Sequence, residues 1–504
     1  AYNRTMSLTD RQKVAHLLRR FGFGASVHEM ESYAPLGPEK AMDRLLDFDR
    51  ATDWGHPLQY VFHKDKEAEL GSYRFKQHWI NQMVVTDHPL RERLALFWHD
   101  HFAIVNDDVN SDLAVMFYIE ELRRKPGARF EEILNKMAKS VAIMRQLNVN
   151  FFSRMQLNEN FAREILELYT LGEGHYTEKD IKAVAEALSG WGHLDLFWGM
   201  GKDNTQRLRA MVANQTPALL FIVAPAAHVP GDKMVVGKPV ENGDDVVTML
   251  AKHPQTARHL CGKLWEWFAG PRPSKAIIDR LARKWQATDG DIKEVLREMS
   301  RMEEFYADAV VRKLVKNPLQ YMVSICRAQN LGSVLQKAYP ASPRYDEPIP
   351  EEVLGVGGGI NYWSSESGMD ILYPTNGVAG WDWHEGWIST NTLLRRRAFT
   401  GARTWFEVKN ADGKGNSRWD PHENVLYVVE EMRKRQPANS EAMAQIFCTL
   451  YDCALSAEQA EILARHFEKG GGIKAFEAPD RRGIAWLCTT ALNVLGSTPE
   501  FQLH

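Results

Sequence analysis

The sequence predicts a mainly α-helical protein, and three observations predict it. Apolar residues recur at i, i+3, i+4 and i+7 through most of the 504 residues, the spacing that gives a helix one buried face. Helix punctuation brackets these stretches: Ser7 and Thr9 stand before "DRQKVAHLLRRF", Pro254 falls in a first turn, and Gly22, Gly24 and Gly270 follow the last apolar positions. Branched residues at strand spacing are confined to one short region. The expected architecture is a multi-helical, orthogonal or bundle-like array with a small β-hairpin excursion and a long Trp/Gly-rich loop.

Element by element, residues 1–200 read as an N-terminal helical region. Residues 201–245 read as a hairpin or loop excursion, with "ALLFIV" and "KMVVGKPV" as its arms around "APAAHVPGD". Central helices fill 246–335, where "TDGD" divides "SKAIIDRLARKWQA" from "IKEVLREMS" as a turn. From 336 to 392 helical periodicity gives way to "AYPASPRYDEPIP", "GVGGGINYW" and "YPTNGVAGWDWHEGW", which read as one long loop segment. No GK[ST] follows the glycines of "GVGGGI", so they do not make a phosphate loop. Helices resume over 393–504. The five stretches are expected to form one interlocked unit.

Composition narrows the class. Lys and Arg total 62 against 65 Asp and Glu, a net charge of -3, which gives no electrostatic footprint for nucleic acid. The longest apolar run, "ALLFIVAPAA", is about half of what a membrane-spanning helix needs. Five cysteines, an odd number without CxxC spacing, argue against a disulfide framework or a thiolate zinc site and read as small buried hydrophobes. The first residue is Ala1 rather than Met, which fits removal of an export signal and equally fits an arbitrary starting point. The expected compartment is periplasmic or extracellular, with the cytoplasm as the alternative. Fifteen tryptophans supply flat surfaces for a core or for stacking on a ligand.

Two motifs carry candidate chemistry. In "LRERLALFWHDHFAIV", a helix puts Leu94, Phe97, Trp98, His101, Phe102 and Val105 on one face, with His99 turned about 200° away beside Leu96 and Ala103. From a regular helix, residues at i and i+2 do not share one metal. Each histidine is either a hydrogen-bonded core residue or a ligand. In "NENFAREILELYTLGEGHYTEKDIKAVAEALSGW", Phe161, Ile165 and Leu168 form an apolar row, and Glu159, Asn160, Arg163, Glu164 and Glu167 a polar strip opposite. Solvated, the strip is a set of weak Glu/Arg pairs, each contributing about 0.2–0.5 kcal/mol. Lining a cleft, it offers three carboxylates and a guanidinium in register. Burial then raises one carboxyl's pKa while Arg163 keeps another ionised, which separates acid from base. "GEGHY" turns the chain, Thr177 and Asp180 make a capping box, and a second helix runs to Trp191 in an αα-hairpin.

These motifs, with "HLLRRFGFG", "HPQTARHLCGKLWEWF", "NGVAGWDWHEGWISTNTLLRR" and "STPEFQ", resemble those of the bacterial domain-of-unknown-function 1800 family along nearly the whole chain. "NENFARE" followed by "ALSGW" is its most specific signature. The resemblance implies a predominantly helical, often exported protein, and it implies that His99, His101, Glu159, Asn160, Arg163, Glu164 and Trp381 belong to shared motifs. It supplies no reaction. In "HVPGDKMVVG" Val229 stands where the family has Asp, so the resemblance carries no role to His228. "GVGGGINYWSSESGMD" is particular to this chain.

The late "GWDWHEGW" places Trp381 and Trp383 with Glu385 on one side of an extended segment, and Asp382 with His384 on the other. Aromatic faces beside carboxylates suit a sugar cleft; the same indoles also suit plugging a core. The leading expectation is an enzyme cleaving a polymeric, carbohydrate substrate without a cofactor. Glu164 is the general acid, Glu159 or Glu167 its carboxylate partner and Arg163 the charge that holds that partner ionised. Asn160, Trp381, Trp383, Asp382, Glu385 and Trp191 are expected to contact substrate. One alternative is a metalloenzyme with iron, zinc or manganese on His101 or His99 and Glu159 or Glu164; the absence of Glu-x-x-His from the carboxylate helix and of HExxH anywhere weighs against it. Another is a non-catalytic exported binding protein.

Overall fold

The computed structural model describes residues 8–56, 59, 71–149, 157–195, 219–339, 349, 351–382, 384–401, 421–477 and 481–504. Of the described residues 66% are helical, about twice the usual share, and among them the only sheets are two small antiparallel pairs. The helices that build the candidate site are α1 (Asp10–Phe21), α2 (Ser72–Val85), α3 (Pro89–His101), α4 (Asp112–Arg124), α5 (Glu159–Leu166), α6 (Glu178–Ala187), α7 (Pro254–Phe268), α8 (Pro318–Ala328) and α9 (Glu351–Glu366). One apolar core runs through them, drawing on residues from Val14 to Phe501.

Local chemistry sets the helix ends where the sequence placed them. Thr9 and Gln12 form a capping box on α1, and Thr177 with Asp180 forms the one on α6. Pro254 opens α7 behind the His253 cap. "TDGD" is the turn between helices Lys275–Ala287 and Ile292–Ser300, with Asp289 and Gly290 at positive φ and Asp291 capping the second helix. The five cysteines are buried and unpaired.

Two expectations need correction. "ALLFIV" and "KMVVGKPV" do not pair with each other. Leu219–Val223 (β2) pairs antiparallel with Trp191–Asp195 (β1), while Lys233–Val235 (β3) and Lys238–Val240 (β4) close a tight hairpin of their own around Gly237. Nor is 336–392 a loop throughout, because Glu351–Glu366, glycines included, is helix α9. Those glycines are what lets it lie on α2: a methyl group at Gly357 would sit 2.4 Å from the Gln77 carbonyl oxygen. Glycine costs a helix about 1 kcal/mol, and here backbone-to-backbone packing outweighs that cost. Gly357→Ala is therefore expected to destabilise the protein by about 1–3 kcal/mol despite its better helix propensity. Urea denaturation checks the sign.

The core also encloses charge. Glu92, fully buried on α3, accepts from Arg123 Nε (2.8 Å), Arg91 Nε (2.9 Å) and Trp79 Nε1 (2.8 Å). Arg123 on α4 binds Asp53 as well (2.8 Å from Nη2) and Glu120 (2.9 Å). Burial pushes the Glu92 carboxyl up, but Arg123 and Arg91 overcome it and hold the group below the usual carboxylate range.

Candidate active site

Helix α5 begins at the Asn158 cap and gives way at Glu167 to a π-helical turn, Glu167–Leu171, in which Thr170 Oγ1 donates to the Ile165 carbonyl (2.6 Å). Such π-turns inside helices are frequent at functional sites. Tyr169 is buried beside Ile165 and Leu166, and Glu164 and Glu167 are neighbours on one side.

Glu164 is the unusual group. Its residue is 9% exposed and its Oε2 is buried with no hydrogen-bond partner. Burial first, then the adjacent Glu167 carboxylate, push its pKa up to about 7 against the opposing pull of Arg163. Glu167 is half-buried and its Oε2 accepts from the Tyr176 hydroxyl. The other members of the predicted strip stand apart from this pair. Glu159 and Asn160 are exposed in the first turn of α5. Arg163 Nη2 donates to Glu178 on α6 (3.2 Å), so its ion-pair partner is Glu178 rather than Glu159 or Glu167. The carboxylate beside Glu164 is Glu167.

Both histidines of "WHDHF" are core residues with both ring nitrogens engaged. His99 Nδ1 donates to the Tyr118 hydroxyl (3.0 Å), which donates to the Phe102 carbonyl (2.9 Å), and Nε2 accepts from Leu372 N–H (3.3 Å). His101 Nε2 donates to the Tyr169 carbonyl (3.2 Å) and Nδ1 accepts from Lys263 Nζ (3.1 Å). Burial pulls the His99 pKa down to about 3; burial and then Lys263 lower that of His101. Neither ring has a lone pair to spare for a metal. Among the described residues no three His, Cys, Asp or Glu side chains gather as a metal site.

The tryptophan segment plugs the core. Trp381 is 5% exposed, its N–H donates to Asp100 Oδ1 (3.0 Å), and its indole meets His99 edge-on at 5.1 Å. Gly380, at φ +88°, lets the chain pass against Asp100, where a methyl group would lie 2.3 Å from Oδ1. Trp191 is buried too, edge-on to Phe221 at 4.9 Å and under Lys139. The expectation that Trp381 and Trp191 offer open faces to a sugar is corrected, since both faces are covered by protein. Asp382 and Glu385 are exposed, and Trp383 lies outside the described residues.

Sequence reasoning passed over Lys263, His259, Tyr169 and Tyr176. Lys263 and His259 stand at i, i+4 on α7, a pairing visible in "HLCGK". Lys263 links Asp100 electrostatically to His101, and His101 reaches Tyr169 beside Glu164. A polar chain thus crosses the core from the tryptophan segment to the carboxylate pair. His259 is pulled down to about 4 by burial and then by Lys263, and its Nε2 is buried without a partner.

Fold and site together define an all-helical protein whose distinguishing group is a carboxyl kept protonated near neutrality beside a second carboxylate. The chain belongs to the family described as "Protein of unknown function (DUF1800)", whose model matches residues 16–503. No curated protein and no solved structure matches the chain.

Proposed function

We propose that the protein is a hydrolase that cleaves a polymeric, carbohydrate substrate by carboxylate acid/base chemistry, with Glu164 as the general acid and Glu167 as its partner. One observation carries this reading: Glu164 Oε2 is buried and unpartnered, and the carboxyl titrates near pH 7 next to Glu167. A poor leaving group such as a sugar alkoxide needs a proton as its bond breaks, and a carboxyl protonated near neutrality supplies one. Glu167, oriented by Tyr176, is placed to take a proton from the attacking water. Asn160, exposed one turn before Glu164, is the hydrogen-bonding candidate toward the polymer; Asp382 and Glu385 are exposed too, but on the tryptophan segment across the core. Action outside the cytoplasm belongs to the same proposal.

The metal-dependent alternative loses its ligands to the hydrogen bonds of His99 and His101. The test of the proposal is a glycan panel followed by reducing-end release across pH. A cleaved polymer is expected, with activity that falls as pH rises through about 7, where Glu164 ionises. Binding to a glycan without release of new ends would favour the binding-protein reading.

A further inference from the structure

A small cavity lies between α3, α7 and the tryptophan segment, on the far side of the polar chain from Glu164. Its wall includes Arg93, Trp267, Trp381, Trp387 and His504. The space open to the centre of a water-sized sphere is about 20 Å³; one water needs about 10–15 Å³ by the same measure. The cavity thus takes one occupant of roughly atomic size.

The wall is rich in unanswered donors. Arg93 is 2% exposed, and its Nε and Nη1 are buried with no hydrogen-bond partner. Its guanidinium lies 5.5 Å from the Trp267 ring centre, 5.9 Å from Phe23 and 6.0 Å from Phe268, an aromatic box that holds a cation without neutralising it. Among the described residues Arg93 makes no ion pair, unlike Arg91 and Arg123 nearby. A second fully buried guanidinium, Arg20, is close enough to be felt by Arg93's field, and its Nε and Nη1 are likewise unpartnered. The indole Nε1 of Trp381 is a third buried donor without a partner.

Two carboxylates, Asp100 and Asp382, also stand on the wall. Asp382 is exposed, while Asp100 Oδ1 takes the Trp381 backbone N–H and its charge acts on Lys263. His504 Nδ1 lies within hydrogen-bond reach of both Gln320 Nε2 (2.8 Å) and the Arg19 carbonyl (2.9 Å), and its Nε2 is buried without a partner. A water molecule would satisfy an N–H but bring no countercharge, and a buried charge without one is costly.

We infer that this cavity binds a single monatomic anion, chloride, held by the Arg93 guanidinium and the Trp381 indole N–H. Its role is to complete the core where the tryptophan segment docks on α3. The space is sized for a monatomic ion rather than for a larger oxyanion.

The test compares thermal unfolding of the full chain in sodium chloride and in sodium gluconate at equal ionic strength, with bromide soaked into crystals as a direct probe. Chloride and bromide are expected to raise the midpoint saturably, by about 2–3 °C at a hundredfold excess over Kd for a chain of this length. An anomalous bromide peak is expected beside Arg93. Arg93→Met should abolish the response. Trp381→Phe keeps an aromatic ring but removes the indole N–H together with the pyrrole half of the ring, and should weaken the apparent Kd about tenfold or more. Equal midpoints in chloride and gluconate, or a crystal with no bromide peak in the cavity, would overturn the inference. So would a full halide response retained by both variants.

Discussion

Glu92→Ala is expected to remove about 3–5 kcal/mol of stability, the cost of leaving a buried ion pair with one partner. Measured against the 5–15 kcal/mol that holds a typical domain together, this takes the protein to the edge of unfolding at 25 °C. The size follows from the geometry. Arg123 is 2% exposed and Glu92 fully buried, so water does not replace the lost carboxylate. Trp79 Nε1 and one edge of each guanidinium lose their acceptor in the same step. Asp53 and Glu120 stay in place and keep the network from losing all of its negative charge.

The control is the Arg124–Glu121 pair, 3.6 Å apart with Arg124 well exposed. Glu121→Ala should cost under about 1 kcal/mol. Comparable losses in the two variants by chemical denaturation would show that the Glu92 network is no more than a surface pair. pH gives an independent check. Arg123 and Arg91 hold the Glu92 and Asp53 carboxyls below their ordinary values against the opposing effect of burial. A depressed carboxylate contributes stability that is fully present above its unfolded value, near 4.5 for Glu92, and that is lost as pH falls through the folded one. Acid unfolding should therefore begin below about pH 4, and earlier in Glu92→Ala.

The helical scaffold was legible because it rests on local signals. Apolar spacing and caps act within four residues: the Thr177–Asp180 capping box stands as read, and Thr9, read beside Ser7 as a candidate cap, caps α1 with Gln12. The glycines of α9 misled for the same reason. Their helix is fixed by contact with Gln77, nearly three hundred residues away in sequence, and no local signal reports it. The carboxylate strip was legible only as a set. Periodicity puts Glu159, Glu164 and Glu167 on one face, but burial singles out Glu164, and burial depends on what packs beside α5. The π-turn at Glu167–Leu171 and the Tyr176 hydroxyl that meets Glu167 have no spacing signature. The histidines show the converse. The place of His101 in an apolar stripe was readable and His99 was read on the opposite face, whereas their partners Tyr118, Leu372, Tyr169 and Lys263 come from four other parts of the chain.

Glu164→Gln is expected to change activity and stability in opposite directions, a pairing that separates a catalytic acid from a structural carboxyl. On a glycan that the wild type cleaves, loss of the proton donor should lower kcat by about 10²–10⁴-fold. The amide has nearly the same shape, so the fold should be kept. Stability follows from the pKa. Glu164 binds its proton more tightly folded than unfolded, so between about 4.5 and about 7 the folded state carries more protons. Stability contributed by this group is then fully present below the unfolded value and declines as pH rises to about 7. The penalty at pH 8 is at most about 3 kcal/mol, and smaller to the extent that water reaches the carboxyl. Glutamine carries no charge at any pH and removes that penalty, so the variant should unfold at a higher temperature than the wild type at pH 8 and at nearly the same temperature at pH 4. A variant that is both inactive and less stable at pH 8 would instead mean that Glu164 is an ionised, paired structural residue. The acid role would then be wrong whatever the substrate. Glu159→Gln changes an exposed side chain of the same strip and should alter neither quantity by more than a few-fold or about 0.5 kcal/mol. The two substitutions together thus locate the chemistry at one carboxyl rather than along the strip.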